Sequence, residues 1–259
     1  MKYISTRGHN IRYSFDEIIR QGIPDDGGLF VPQIIPTLPE EYFNNITEKT
    51  FHEIAFDIAG LFIDNDIIPD DVLKRIIADA FNFPLPLKNI SASLGIFELF
   101  HGPTGAFKDF GARFMAQILS YLQSKESRKV TIVTATSGDT GAAVASAFHN
   151  VSHVDVFILY PKGRVSNFQE KQIAGFGDNV HALEINGSFD DCQELVKDCF
   201  NDHHFKNDMN LTSSNSVNFS RLIPQIIYYF EAYRQAKLLG HENISFIVPS
   251  GNFGNITGG

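Results

Sequence analysis

The residue whose type and setting most invite chemistry is Lys108, at the centre of the stretch FHGPTGAFKDFGARFMAQ from Phe100 to Gln117. Gly102, Pro103 and Gly105 crowd a turn just before a segment in which Phe110, Phe114 and Ile118 recur at helical spacing. That pattern places Lys108 at a turn-to-helix junction. A helix N-terminus presents unpaired N–H groups and partial positive charge, which disfavour an ammonium and favour a bound anion or a neutral amine. Among Phe107, Phe110 and Phe114 the lysine would also lose hydration, and that lowers a lysine pKa toward a nucleophilic form. The competing reading is an ordinary surface lysine beside a loop.

Three other stretches carry groups suited to anions. TSGDTGAAVA follows an apolar run from Val130 to Thr134, and its Ser137, Gly138, Asp139, Thr140 and Gly141 open a small-residue helix whose hydroxyls and amides suit a carboxylate or phosphate. PSGNFGN follows Phe246 to Val248, and its glycines let backbone amides approach an anion closely. Either loop reads equally well as a plain turn. TSSNSVNFSR supplies Ser213, Ser216, Asn218 and Arg221; the arginine either grips an anion in bidentate fashion or lies exposed on a helix face. A reactive amine combined with two anion loops fits a cofactor bearing both an aldehyde and a phosphate, and pyridoxal phosphate is that molecule.

The elements that must position these groups are legible from periodicity. Ser14 to Gln21 reads as a helix with a capping box at Ser14 and Glu17, and amphipathic patterns span Phe51 to Phe62 and Asp70 to Phe81. Residues 1–85 therefore read as a mainly helical N-terminal domain, with FPLPLKN as an extended link to residues 86–259. From Ile96 onward β-rich and helical runs alternate: IFELF, the Lys108 helix, KVTIVTAT, TGAAVASAF, VDVFILYP, a helix near Asn167 to Ala174, NVHALEI and FDDCQELVKDCF. A long helix from Arg221 to Leu239 then precedes ISFIVPS, read as a strand. This alternation is the pattern of an α/β fold with an open, mainly parallel sheet, which binds ligands at the carboxyl ends of its strands.

Composition excludes several classes. A net charge of −9 argues against nonspecific binding to nucleic acid or anionic membrane. No apolar run reaches membrane-spanning length and the first residues lack a signal core, so the cytoplasm is the expected compartment. Cys192 and Cys199 stand two helical turns apart, too far for a disulfide, and their spacing with His203 and His204 matches no common zinc pattern, so no metal is expected. The dinucleotide fingerprint is absent, and in GPTGAFK the second glycine and the hydroxyl residue of a P-loop are replaced by Phe107 and Asp109.

Taken in order, STRG, PDDGGLFVP, HGPTGAFKDFGARFMAQ, TATSGDTGAAVA, GSFDDCQ, NSVNFSRLIPQ and PSGNFGN cover essentially the whole chain and resemble the threonine synthase family, a fold type II pyridoxal phosphate group of the tryptophan synthase β-like kind. The resemblance implies that Lys108 carries the cofactor, with Phe107 and Asp139 beside it and Gly251, Asn252, Phe253, Gly254 and Asn255 around its phosphate. It implies that Thr136, Ser137 and Thr140 receive the substrate carboxylate, and Ser216 and Arg221 the substrate phosphate. The implied reaction converts O-phospho-L-homoserine and water into L-threonine and phosphate. Asp139 departs from the asparagine that many relatives place near the cofactor's phenolic oxygen, which leaves its protonation state open. The family pattern also continues well past Gly259, so the chain is read as a C-terminally truncated fragment, lacking the group that meets the pyridine nitrogen and with its own turnover in question.

Overall fold

Short polar residues set the helix starts of the N-terminal part. Helix α1 (Phe15–Gln21), between strands β1 (Tyr3–Ser5) and β2 (Phe30–Pro32), begins with Ser14 and Glu17 in the expected capping box. Helix α2 (Glu40–Asn44) and a single 3-10 turn lead to helix α3 (Phe51–Gly60), capped by Thr50 and Glu53, and helix α4 (Asp70–Ala80) follows Pro69. The computed structural model describes residues 1–259 except His9, Ser137, Ser216, Val217 and Asn252.

Strands β3 (Leu87–Ser91) and β4 (Leu94–Phe97) pair as an antiparallel hairpin with an irregular register near its turn. The run IFELF thus belongs to a separate hairpin and not to the main sheet. Helix α5 (Lys108–Gln123) starts at the predicted lysine. Beyond it come strand β5 (Val130–Ala135), helix α6 (Asp139–Phe148), strand β6 (Val154–Pro161), helix α7 (Asn167–Ala174), strand β7 (Val180–Ile185) and helix α8 (Phe189–Asn201). Helix α9 (His203–Met209), strand β8 (Leu211–Thr212), helix α10 (Phe219–Leu238) and helix α11 (Gly254–Gly258) complete the chain.

Strands β5 to β8 form one parallel sheet in the order β7-β6-β5-β8. Because β6 and β8 lie on opposite sides of β5, the strand order reverses at β5. Ligand crevices of open α/β sheets form at such a reversal, outside the carboxyl ends of the strands. Neighbouring residues of β5 face different cores: Ile132 joins the large cluster, and Val133 joins a small one with Leu159, Cys192, Val196 and Leu211. Both faces are therefore covered, as a parallel sheet requires.

The large cluster also includes Tyr3, Ile54, Phe81, Phe114 and Tyr228, so the N-terminal helices and the helices flanking the sheet share one apolar interior. The Phe81 and Phe114 rings stack at 5.7 Å and 5°. Arg113 of α5 donates from Nε to the Ala80 carbonyl at 2.8 Å and from Nη2 to Asn82 Oδ1 at 3.0 Å, placing a cation at the carboxyl end of α4, where the helix dipole favours one.

One predicted element is not formed. The segment from Phe246 to Val248 has no strand pairing, with Phe246 47% and Ile247 86% exposed. An extended segment gains its stability from pairing and from cover on its faces, and apolar alternation alone supplies neither. Among the described residues, no helix is long and apolar enough to cross a membrane.

Candidate active site

The turn before α5 is held by a buried carboxylate. Asp109, 1% exposed, folds back to accept from the Thr104 backbone N–H at 2.9 Å and the Thr104 hydroxyl at 2.8 Å. A side chain at Gly102 would run into that carboxylate, lying 2.8 Å from Asp109 Cβ, so glycine is required there for close approach. Burial raises the Asp109 pKa, while the Thr104 bonds and Arg113 oppose the rise. Sequence reasoning used Asp109 only to exclude a P-loop; its spacing from Thr104 carried the signal of a local side-chain staple.

Lys108 follows from that anchoring. Its Nζ lies 4.7 Å from the centroid of the Phe107 ring, and the residue is half-buried. Its pKa is lowered, first by desolvation and then by the Arg221 charge, with Asp139 pulling the other way. The predicted depression is therefore present, but the source that sequence could not supply is a second cation.

Arg221 is not an exposed helix-face residue: it is 2% exposed, in the first turn of α10. Its Nη1 donates to the Ser214 carbonyl, and its buried Nε has no hydrogen-bond partner among the described residues. The side chain lies against α5, because a Cβ added at Gly111 would fall 3.1 Å from Nε and 3.2 Å from the Arg221 carbonyl oxygen. Desolvation alone lowers its pKa to about 10. The Ser214 hydroxyl nearby in sequence is likewise buried without a partner among the described residues.

The loop after β5 is organised from within. Thr136 Oγ1 accepts from the backbone N–H groups of Gly138 at 3.2 Å and Gly141 at 2.9 Å, and bonds the Gly138 carbonyl at 3.0 Å. Its hydroxyl is thus used in shaping the loop. Asp139 and Thr140 open α6, and Asp139 Oδ1 accepts from Gln169 Nε2 at 3.2 Å. That glutamine also completes the capping box of α7, so α7 steadies the carboxylate whose charge acts on Lys108.

The glycine-bearing turn is placed differently. Gly251 and Phe253 are exposed, Phe253 by 70%, while Gly254 and Asn255 open α11 against α10. Asn255 accepts from the Tyr228 hydroxyl at Oδ1, and from the Tyr229 hydroxyl at its carbonyl oxygen and Oδ1, both 3.1 Å. Tyr228 packs edge-on against Phe110, ring centroids 5.6 Å apart, which connects this turn to the first turns of α5. Ser137, Ser216 and Asn252, also expected at the site, lie outside the described residues. The structure thus draws Lys108, Asp139 and Arg221 into one electrostatic group.

A parallel sheet with a partly desolvated lysine at the crevice side of its strand reversal defines a class, and the family comparison agrees: residues 81–259 match the model described as pyridoxal-phosphate dependent enzyme, and the chain belongs to that family. Residues 2–81 match the model described as threonine synthase N terminus. A curated threonine synthase from Buchnera aphidicola subsp. Acyrthosiphon pisum is 46% identical over 260 residues, covering 100% of this chain and 60% of its own length. The crystal structure of threonine synthase from Escherichia coli superposes with a TM-score of 0.88 at 41% identity, covering 100% of this chain and 60% of its own. The pyridoxal phosphate-bound threonine synthase from Brucella melitensis gives a TM-score of 0.90 at 40% identity, covering 100% and 56%. The chain therefore spans about 60% of the length of the first curated relative it matches.

Proposed function

We propose that this chain carries the lysine side of a threonine synthase active site, acting with pyridoxal phosphate on O-phospho-L-homoserine to give L-threonine and phosphate. The observation that carries the reading is the buried Arg221 guanidinium, held against the helix that Lys108 opens and, among the described residues, without a carboxylate partner to offset its desolvation. A buried charge left unpaired costs several kcal/mol, roughly, and an anionic ligand offsets that cost. The residues present fit the cofactor on the same grounds: an amine whose pKa is already depressed, with a guanidine N–H beside its helix that is unpartnered among the described residues.

Pyridoxal phosphate, when bound, supplies an aldehyde for an amine and a ring that takes up carbanion charge. The chain's own residues do the rest. Lys108 holds the cofactor and, once released, moves the proton at the substrate Cα; its depressed pKa keeps it competent as a base. Arg221, with Ser216, holds the γ-phosphate that leaves. Thr136, Ser137 and Thr140 form the carboxylate loop, Thr136 by shaping it. Phe107 and Asp139 border the cofactor, and Gly251, Asn252, Phe253, Gly254 and Asn255 take its phosphate.

The same reading divides the chain into an N-terminal domain of residues 1–85 and a catalytic region of residues 86–259, and places the enzyme in the cytoplasm with no membrane or nucleic-acid partner. Its test is a pair of assays, with pyridoxal phosphate present, on the full-length gene product, because the chain spans about 60% of the length of the curated relative it matches. The reading predicts phosphate release from O-phospho-L-homoserine, lost in Arg221→Gln. Ammonia release from threonine that is indifferent to Arg221→Gln would assign a dehydratase instead.

A further inference from the structure

The segment joining β8 to α10 carries Arg221, and it is clamped from two directions. On the sheet side, the Thr134 hydroxyl at the carboxyl end of β5 donates to Asn215 Oδ1 at 2.8 Å. On the other side stands the carboxyl end of α1. The carbonyl of Ile19, in the last turn of that helix, is among those for which the helix itself provides no N–H. Two side chains converge on it: the Thr212 hydroxyl at 2.9 Å and Asn218 Nδ2 at 3.3 Å. Thr212 and Asn218 are both fully buried. The chain leaves α1 pressed against the same place, since a Cβ at Gly22, where φ is +70°, would fall 2.7 Å from the Ser213 nitrogen.

Asn218 is also the N-cap of α10. Its Oδ1 accepts from the Ser220 backbone N–H at 3.1 Å and the Ser220 hydroxyl at 2.8 Å, while Nδ2 also donates to the Ser213 carbonyl at 3.1 Å. The Arg221 N–H donates to the Asn218 carbonyl at 2.9 Å, and the Arg221 guanidinium donates to the Ser214 carbonyl. Both ends of Arg221 are therefore fixed by the segment that Asn218 ties to α1. Serine or aspartate would cap the helix comparably, so the cap alone does not call for an amide. Of these three, asparagine alone presents an acceptor to the helix and donors to two carbonyls from one side chain.

We propose that Asn218 is a positioning residue for Arg221 and that Asn218 and Thr212 together reference the phosphate-binding segment to the carboxyl end of α1. This makes the N-terminal helix part of the anion-binding apparatus, and it rests on the reading of Arg221 as the phosphate ligand. Thr212 and Asn218 do not touch the anion themselves; they set where the guanidinium points.

The test is calorimetric titration with inorganic phosphate, in a buffer without competing oxyanions, of the full chain and of Asn218→Asp, Thr212→Val, Thr212→Ser and Arg221→Gln, with thermal midpoints measured alongside. Loss of the hydrogen bonds to Ile19 is expected to weaken phosphate binding about tenfold in Asn218→Asp and in Thr212→Val, the size of one net buried hydrogen bond. Thr212→Ser, which keeps the hydroxyl, is expected to bind as the parent does. Should Asn218→Asp fail to fold, the near-isosteric Thr212 pair carries the comparison. Lower thermal midpoints with parental phosphate affinity in Asn218→Asp and Thr212→Val would overturn the proposal and leave both residues as structural caps. Parental affinity in Arg221→Gln, or no phosphate binding by the parent, would instead overturn the phosphate reading and this inference with it.

Discussion

The Lys108 turn and the turn from Gly251 to Asn255 were both expected at the cofactor, yet the structure treats them oppositely. The first is fastened by groups within the same part of the fold: Asp109 closes it onto Thr104, and Phe110 and Phe114 anchor the following helix in the core. The second is preceded by unpaired, exposed residues and touches the fold through Asn255 and the tyrosines of α10. A turn whose anchors lie close in sequence and in a shared core is fixed by local signals.

The comparison can be broken by substitution. Phe114 is fully buried and stacked on Phe81, so Phe114→Ala is expected to cost about 3–5 kcal/mol of stability in a denaturant titration. A loss below about 1 kcal/mol would show that the lysine helix is not seated as described. Gly102→Ala drives a methyl into Asp109 and is expected to cost roughly 1–3 kcal/mol, the usual penalty of overpacking, with a change in the near-ultraviolet signal of the neighbouring phenylalanines. Phe253→Ala, in the exposed turn, should stay within about 0.5 kcal/mol of the parent. A cost approaching that of Phe114→Ala would mean that the glycine turn is as firmly held as the lysine turn.

What sequence made legible follows the same division. The helix Asn167–Ala174 and the capped start at Ser14 were readable because caps and periodicity are local signals. Lys108 at a helix start was readable for the same reason. The burial of Arg221 was not, since it depends on Gly111 of another helix leaving room for a guanidinium. Nor was the two-residue strand β8, whose pairing with β5 is set by the sheet and not by its own composition. The Phe246 to Val248 strand was expected from apolar, β-branched character, and in the structure that character has no partner edge. Asn218 and Thr212 escaped notice as site-shaping residues because they meet on the Ile19 carbonyl, a backbone group close in space and without a sequence signature.

The most direct test of the central claim, that Lys108 is a poised amine, is to treat the protein with pyridoxal phosphate across a pH series, trap the product with borohydride and map the modified lysines by mass spectrometry. Desolvation and the Arg221 charge hold the Lys108 amine below the ordinary lysine value of 10.5, so a larger fraction is neutral at any pH beneath that value. Label is therefore predicted to enter Lys108 at lower pH, and at lower reagent concentration, than it enters exposed lysines such as Lys88 and Lys171. Label distributed among lysines in order of their exposure, with Lys108 among the last, would contradict the account.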